Sequence, residues 1–202
     1  MGLNKKINIE NLKENRAVSE AREKLRDGRT RGIVKWVFEI IVTLVFAVLV
    51  AISAFQTVTL QESAMEPTYS VSEKFFVNRA LYKVSSPKRG DVIVFKTSAS
   101  DSAALHIRRV IGLPGETVQV KDGKIYINGK VYEENGAYQD MTDGGLANSA
   151  ITLESGEYFV LGDNRNNSED SRFSDIGNIS KKYIVGKVWF TVSPKNKIGF
   201  IK

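Results

Sequence analysis

A chain of 202 residues and 22.5 kDa has room for an anchor plus one globular domain, but not for two sizeable cores. It contains no cysteine, which excludes disulfides, thiol catalysis and cysteine-based zinc sites. Its single histidine, His106, cannot build a histidine metal cluster, so we expect neither a metal nor another cofactor.

The net charge of +6 is concentrated at the beginning of the chain. Ten basic and five acidic residues precede residue 36, which accounts for nearly the whole excess. A basic flank beside an apolar segment is typical of a membrane-topology signal, and no aromatic side chains are interleaved with these bases as in nucleic-acid interfaces. The segment 1–32 is therefore predicted to be a cytoplasmic basic lead-in, and nucleic acid is not an expected partner.

The stretch 33–55, "IVKWVFEIIVTLVFAVLVAISAF", is continuously apolar apart from Lys35 and Glu39, which lie one helical turn apart and can pair. At about 1.5 Å per residue, a helix of this length crosses a hydrocarbon core of roughly 30 Å. A cleaved signal peptide is the alternative, because "AIS" resembles a cleavage site, but both the apolar run and the basic region are too long for one. We predict an uncleaved, single-pass anchor in the lipid bilayer of the cell membrane. The positive-inside rule places the N-terminus in the cytoplasm and the main domain outside the cell.

The rest of the chain, 58–202, consists of short alternating runs rich in β-branched and aromatic residues. Asp122-Gly123 and Asn128-Gly129 are strong hairpin signals. The pattern predicts a mainly β, antiparallel extracytoplasmic domain. Residues 133–157 lack periodicity and are expected to form a long loop or insertion with at most one edge strand.

Four stretches of this domain carry recognisable motifs in a fixed order: "SAMEPTY" (63–69), "RGDVIVFK" (89–96), "IRRVIGLPGETVQV" (107–120) and the segment 162–188, which begins "GDNRNNSEDSR". Together with the preceding anchor, they resemble the boxes of the type I signal peptidases. These membrane-anchored serine peptidases remove signal peptides from exported proteins. The resemblance covers the anchor and essentially all of 58–202, and it implies the antiparallel-sheet fold of that family.

The resemblance also implies a chemistry, which uses a serine nucleophile and a neutral lysine as its general base. Burial lowers the pKa of such a lysine, and hydrogen-bond donors stabilise the oxyanion. The substrate peptide is expected to lie extended along strand edges.

This chain departs from the family at each of the three chemical positions. Ala64 stands at the nucleophile position and Arg108 at the general-base position, where a guanidinium cannot accept a proton. Glu62, two residues before Ala64, would repel a developing oxyanion. The residues expected to support the site are retained: Met65, Pro67, Asp163, Ser168, Asp170 and Arg172. Of these, Ser168 is expected to face Arg108.

A displaced nucleophile is the main alternative. Ser63 is adjacent to Ala64, but neighbouring side chains on a strand point to opposite faces, so a bulge would be needed to aim Ser63 at the site. No lysine is adjacent to Arg108 in the sequence, and Lys96 ends a predicted strand as a solvated charge.

The sequence therefore favours a proteolytically inactive relative that binds signal peptides or exported precursors as an accessory or chaperone. Inactive relatives of this kind occur in Gram-positive pilus-assembly loci, which makes pilins one candidate class of precursor. An active signal peptidase that uses Ser63 is the second hypothesis. A purely structural membrane protein is the third, and the retained peptide-binding boxes argue against it.

Overall fold

The computed structural model describes residues 18–20, 23, 28–100 and 103–201. Most of the segment 1–32, for which a cytoplasmic lead-in is predicted, lies outside the described residues. The chain divides into two compact units, Met1–Ile52 and Ser53–Lys202.

The apolar stretch forms one long helix, α1 (Gly28–Ala54). It begins five residues earlier than the predicted segment 33–55 and ends one residue earlier, because Phe55 already belongs to the first strand. Its part from Thr30 to Ala54 is long and apolar enough to cross a membrane, and its side chains are exposed. The predicted pair forms on its surface, with Lys35 Nζ 3.8 Å from Glu39 Oε1.

The second unit is mainly antiparallel β, as predicted. Its larger sheet has the strand order β1-β2-β11-β3-β4-β9-β10, with β12 paired to β11, and the smaller sheet has the order β7-β6-β5-β8. A short helix, α2 (Leu81–Val84), follows β2. The strands are β1 (Phe55–Thr59), β2 (Lys74–Asn78), β3 (Val92–Phe95), β4 (His106–Gly112), β5 (Thr117–Lys121), β6 (Lys124–Ile127), β7 (Lys130–Val131), β8 (Ile151–Thr152), β9 (Glu157–Leu161), β10 (Ile179–Ser180), β11 (Ile184–Ser193) and β12 (Gly199–Phe200).

Both hairpin dipeptides form the turns that the sequence predicts. Asp122 and Gly123 have φ angles of 50° and 74° between β5 and β6, and Asn128 and Gly129 have φ angles of 51° and 77° between β6 and β7. Two consecutive residues with positive φ match the right-handed twist of the flanking strands. These two turns set the register of the smaller sheet.

The segment 133–157 is irregular except for a 3₁₀ turn (Gly145–Asn148) and the edge strand β8, which pairs with β5. It is nevertheless part of the fold. Its side chains Met141, Ala147 and Leu153 are buried in the same cluster as Val118 of β5 and as Phe159 and Leu161 of β9. This cluster packs the smaller sheet against the larger one near the C-terminal end of β4.

Gly112, at the end of β4, marks the closest packing between these layers. A Cβ atom at this position would lie 2.5 Å from Val118 Cγ2, 2.7 Å from Leu153 Cδ1 and 2.9 Å from Phe159 Cβ. These atoms belong to buried side chains and cannot withdraw into solvent.

We expect Gly112→Ala to lower the free energy of unfolding by about 2–3 kcal/mol, because the added methyl overpacks the core. Gly199→Ala in β12 is the matched control, since a Cβ there meets nothing within 4 Å; its effect should stay within about 0.5 kcal/mol. Denaturant unfolding of the full chain in detergent measures both variants. Equal effects would contradict the packing described here.

Candidate functional site

Residues Ser63–Met65 form a single 3₁₀ turn after β1. The expectation that Ser63 and Ala64 lie on a strand is therefore wrong, and the rule of alternating faces does not apply to them. Ala64 and Met65 are buried in this turn, whereas Ser63 is half-buried. The turn, and not a strand pleat, decides which side chain points inward.

The turn is held against the segment that follows β9. The Asn164 N–H donates to the Ala64 carbonyl at 2.9 Å, and Asn164 Nδ2 donates to the Ser63 carbonyl at 3.2 Å. Asn167 Nδ2 donates to Ser63 Oγ at 3.1 Å. Gly162 permits this close approach, since a Cβ there would overlap the Ala64 carbonyl oxygen and Ser168 Oγ. Two motifs 100 residues apart thus form one site.

Arg108, in β4, is the largest fully buried side chain of the domain, with 1% of its surface exposed. All three of its guanidinium nitrogens donate hydrogen bonds. Nε donates to the Glu169 carbonyl at 2.8 Å, Nη1 to the Ile107 carbonyl at 2.8 Å and Nη2 to Glu62 Oε2 at 2.6 Å. The charge is therefore compensated by one carboxylate and two carbonyls.

Glu62 connects the end of β1 to β4 by two contacts. Besides the bond from Arg108, its Oε1 lies 2.9 Å from His106 Nδ1. His106 Nδ1 has no hydrogen-bond partner among the described residues, so this second contact is electrostatic. Burial alone would raise the pKa of Glu62, but the His106 contact and the charge of Arg108 outweigh it and lower the pKa to about 2. Glu62 is ionised at any physiological pH.

Ser168 was expected to face Arg108, and no hydrogen bond joins the two side chains in the described residues. The Oγ of Ser168 is buried and has no hydrogen-bond partner in the described part of the chain. The Arg108 donors are directed instead to Glu169, Ile107 and Glu62. With a guanidinium at this position, the Ser168 hydroxyl therefore receives no hydrogen bond from residue 108.

The remaining supporting residues form buried ion pairs around the turn. Asp163 accepts two hydrogen bonds from Arg109, at 2.8 and 2.7 Å. Burial by itself lowers the pKa of Arg109, but the bond and the charge of Asp163 outweigh it and raise that pKa. Asp170 accepts from Arg172 Nε at 2.8 Å and from the Gly162 N–H at 3.1 Å. These pairs fix the backbone on which the turn rests.

The sequence did not predict a second group of buried contacts beside these ion pairs. Arg165 is buried, forms an ion pair with Glu134 and lies over the ring of Tyr138, 4.2 Å from its centroid. Both partners come from the segment 133–157, where no periodic pattern indicated a structural role. The fold brings four of the predicted residues together with these ion pairs: Glu62, Ser63, Ala64 and Arg108. Pro67 is exposed and lines a shallow pocket with Asp163 and Arg165.

His106 was not among the predicted site residues, yet it contacts Glu62 directly. Its position two residues before Arg108 on the same strand is the signal that could have suggested this contact, because alternate strand residues share a face. Within the described residues, no group of three or more His, Cys, Asp or Glu side chains is arranged to hold a metal ion.

Comparison with known proteins gives this architecture a family. The model of the family "Signal peptidase, peptidase S26" matches residues 33–193. Signal peptidase I of Bacillus licheniformis is 32% identical over 183 residues, which cover 87% of this chain and 97% of the relative. Signal peptidase I of Bacillus amyloliquefaciens is 35% identical over 186 residues (87% and 96%), and that of Leptolyngbya laminosa is 39% identical over 142 residues (67% and 68%). A solved signal peptidase I of Enterococcus faecalis V583 has 32% identity and a TM-score of 0.42, covering 52% of this chain and 98% of that chain.

The family model and the curated relatives thus define the class of protein, a serine-peptidase family, and in this chain the β domain follows an apolar helix. This chain belongs to the peptidase S26 family of signal peptidases. The family resemblance drawn from the four motifs is confirmed.

The Glu62–Arg108 pair generates a prediction about acid stability. Glu62→Gln leaves the buried guanidinium without its counter-charge, which we expect to cost about 1–3 kcal/mol at pH 7. The cost is below that of a fully buried pair, because 35% of the Glu62 side chain is exposed.

The pH dependence of this effect has a definite sign. The folded-state pKa of Glu62, about 2, lies below its ordinary value of 4.5. Its stabilising contribution is therefore complete above pH 4.5 and is lost as the pH falls towards 2. Thermal unfolding of wild type and Glu62→Gln from pH 7 to pH 2.5 should show the two melting temperatures converging below about pH 4. A constant difference over this range would contradict the ion pair.

Proposed function

We propose that this chain binds the signal peptides of exported precursors without cleaving them. The relatives that share most of its length are signal peptidases I, and the scaffold is retained around a site that lacks their chemistry. One observation carries the proposal: the buried Arg108 guanidinium is paired with Glu62, and Ala64, two residues after Glu62, has only a methyl side chain.

The residues at the nucleophile and general-base positions cannot generate an alkoxide. Serine is a poor nucleophile unless a nearby base removes its proton, and Ala64 has no hydroxyl at all. A guanidinium remains protonated in proteins, and all three nitrogens of Arg108 already donate to other groups. The Glu62 carboxylate adds a permanent negative charge where an oxyanion would have to be stabilised.

The alternative, an enzyme that uses Ser63, is not favoured by the contacts of that residue. Within the described residues, Ser63 Oγ has one hydrogen-bond partner, the amide of Asn167. An amide nitrogen donates and cannot remove a proton. Among the described residues, no base is therefore hydrogen-bonded to the Ser63 hydroxyl.

Two strand edges support the binding part of the proposal. In the larger sheet β1 pairs only with β2, and residues 106–108 of β4 pair only with β3, since pairing with β9 begins at Arg109. Unpaired edges of this kind bind extended peptides through main-chain hydrogen bonds. The two edges converge at Glu62, which contacts His106 and Arg108 of β4. A bound peptide would lie along these edges and end its approach at the ion pair.

The proposed cellular role is that of a membrane-anchored protein that holds exported precursors. Helix α1 anchors the chain in the membrane with its N-terminus inside, and the β domain holds a precursor on the outer side as an accessory or chaperone. Precursors with signal peptides, including pilins, are the class of partner that we infer.

The first test compares binding with cleavage. The full chain in detergent, incubated with a signal-peptide-bearing precursor, should bind it and leave it intact. Ser63→Ala should change neither result. Turnover by the wild type that disappears in Ser63→Ala would overturn the proposal in favour of the active enzyme.

The second test restores the chemistry. In the triple variant Glu62→Ser, Ala64→Ser, Arg108→Lys, we expect cleavage of the precursor at least about 100-fold above that of Ala64→Ser alone, because only the triple variant supplies a base. Thermal unfolding confirms that both variants fold. If Ala64→Ser alone cleaves as well as the triple variant, Arg108 is not what prevents catalysis.

A further inference from the structure

The β domain contains a cavity of about 890 Å³ whose charged lining residues are all basic within the described part of the chain. Its cations come from four separate segments. Arg79 follows β2, Lys83 lies in α2, Lys96 follows β3, and Lys181 with Lys182 precedes β11. Five positive charges therefore converge on one cavity.

Four of these cations, Arg79, Lys83, Lys181 and Lys182, have no carboxylate partner among the described residues. Arg79 and Lys83 are exposed and have no side-chain partner among the described residues. Lys181 Nζ donates to the Ser85 carbonyl at 2.8 Å and to Ser86 Oγ at 3.1 Å, and Lys182 Nζ lies 4.8 Å from the ring centroid of Tyr183.

Some lysines elsewhere in the domain are paired with carboxylates. Lys187 Nζ lies 2.5 Å from Asp91, and Lys197 Nζ lies 2.6 Å from Glu73. Clustered like charges repel one another, and a bound anion removes this cost. The cavity is thus electrostatically complementary to an anionic ligand.

The same lining also offers apolar surface, from Leu105, Ile184 and Val185. A free inorganic anion or an acidic protein surface has no apolar group to place against these side chains. A phospholipid, in contrast, presents a phosphate beside acyl chains. The sequence adds a second argument. Gln56, another lining residue, follows the last residue of α1 by two positions, a reach of about 7 Å along the chain.

We propose that this cavity binds the phosphodiester headgroup of an anionic membrane lipid. Lysine and arginine are the side chains that bind phosphate, and basic residues at a membrane surface attract anionic lipids. The proposal rests on the membrane anchoring by α1 proposed above, but not on precursor binding. The site is separate from the Glu62–Arg108 pair, which contributes no residue to its lining.

The test uses the full chain in a neutral detergent without any precursor. Binding of short-chain phosphatidylglycerol is measured by native mass spectrometry and titration, with short-chain phosphatidylcholine and glycerol phosphate as reference ligands. The pocket variant is Arg79→Gln, Lys83→Gln, Lys182→Gln. The matched control is Lys121→Gln, Lys124→Gln, Lys130→Gln, which removes three exposed charges from the β5–β7 hairpins.

We expect the wild type to bind phosphatidylglycerol at least about tenfold more tightly than phosphatidylcholine, and the pocket variant to lose most of this preference while the control keeps it. Equal losses in both variants would show a general effect of charge and overturn the site. Glycerol phosphate binding as tightly as phosphatidylglycerol would assign the cavity to a free phosphate and overturn the lipid. Since no precursor is present, a negative result leaves the proposed precursor binding untouched.

Discussion

The requirement to satisfy one buried guanidinium organises the centre of this domain. Arg108 is permanently charged and almost completely removed from water, and an uncompensated charge in that position would cost several kcal/mol. Glu62 supplies the compensating charge, and the carbonyls of Ile107 and Glu169 accept the remaining donors. Glu62 and Arg108 are therefore physically linked, because the buried guanidinium of Arg108 would lose its counter-charge without Glu62.

The buried ion pairs that surround Glu62 and Arg108 do not depend on catalysis. Asp163 with Arg109 and Asp170 with Arg172 are buried ion pairs that hold the backbone after β9 against the Ser63–Met65 turn. Breaking such a pair would leave a buried charge, so these residues are required for the fold whether or not a peptide is cut. The presence of these residues therefore does not by itself indicate a reaction, because the identity of the central side chains decides what such a site does.

Local patterns predicted the fold well where one segment determined its own conformation. The long apolar run gave the helix, and Asp122-Gly123 and Asn128-Gly129 gave both turns of the smaller sheet. The bounds of the helix were less accurate, because Phe55 is apolar in either setting and only pairing with Asn78 makes it a strand residue.

The site was predictable only in part, because its contacts also join residues that are far apart in the sequence. The motifs identified the residues but not their partners: Glu62 and Arg108 are 46 positions apart, and no local period indicates that they meet. The turn at Ser63–Met65 was taken for a strand because its shape is imposed by Asn164 and Asn167, a hundred residues later. His106 was overlooked since a lone histidine carries no pattern. Contacts across the sheet are the information that the linear sequence lacks.

Net charge was equally uninformative about the basic cavity. From residue 36 onward the chain carries nineteen basic and eighteen acidic residues, which is nearly neutral and suggests no anionic partner. Folding separates these charges. Acids such as Asp91, Asp163 and Asp170 form ion pairs with nearby cations. Arg79 and Lys83, beside the end of β2, have no carboxylate partner among the residues that the structure describes. A neutral domain can therefore present a strongly positive cavity, because electrostatic attraction for a ligand depends on where the charges lie and not on their sum.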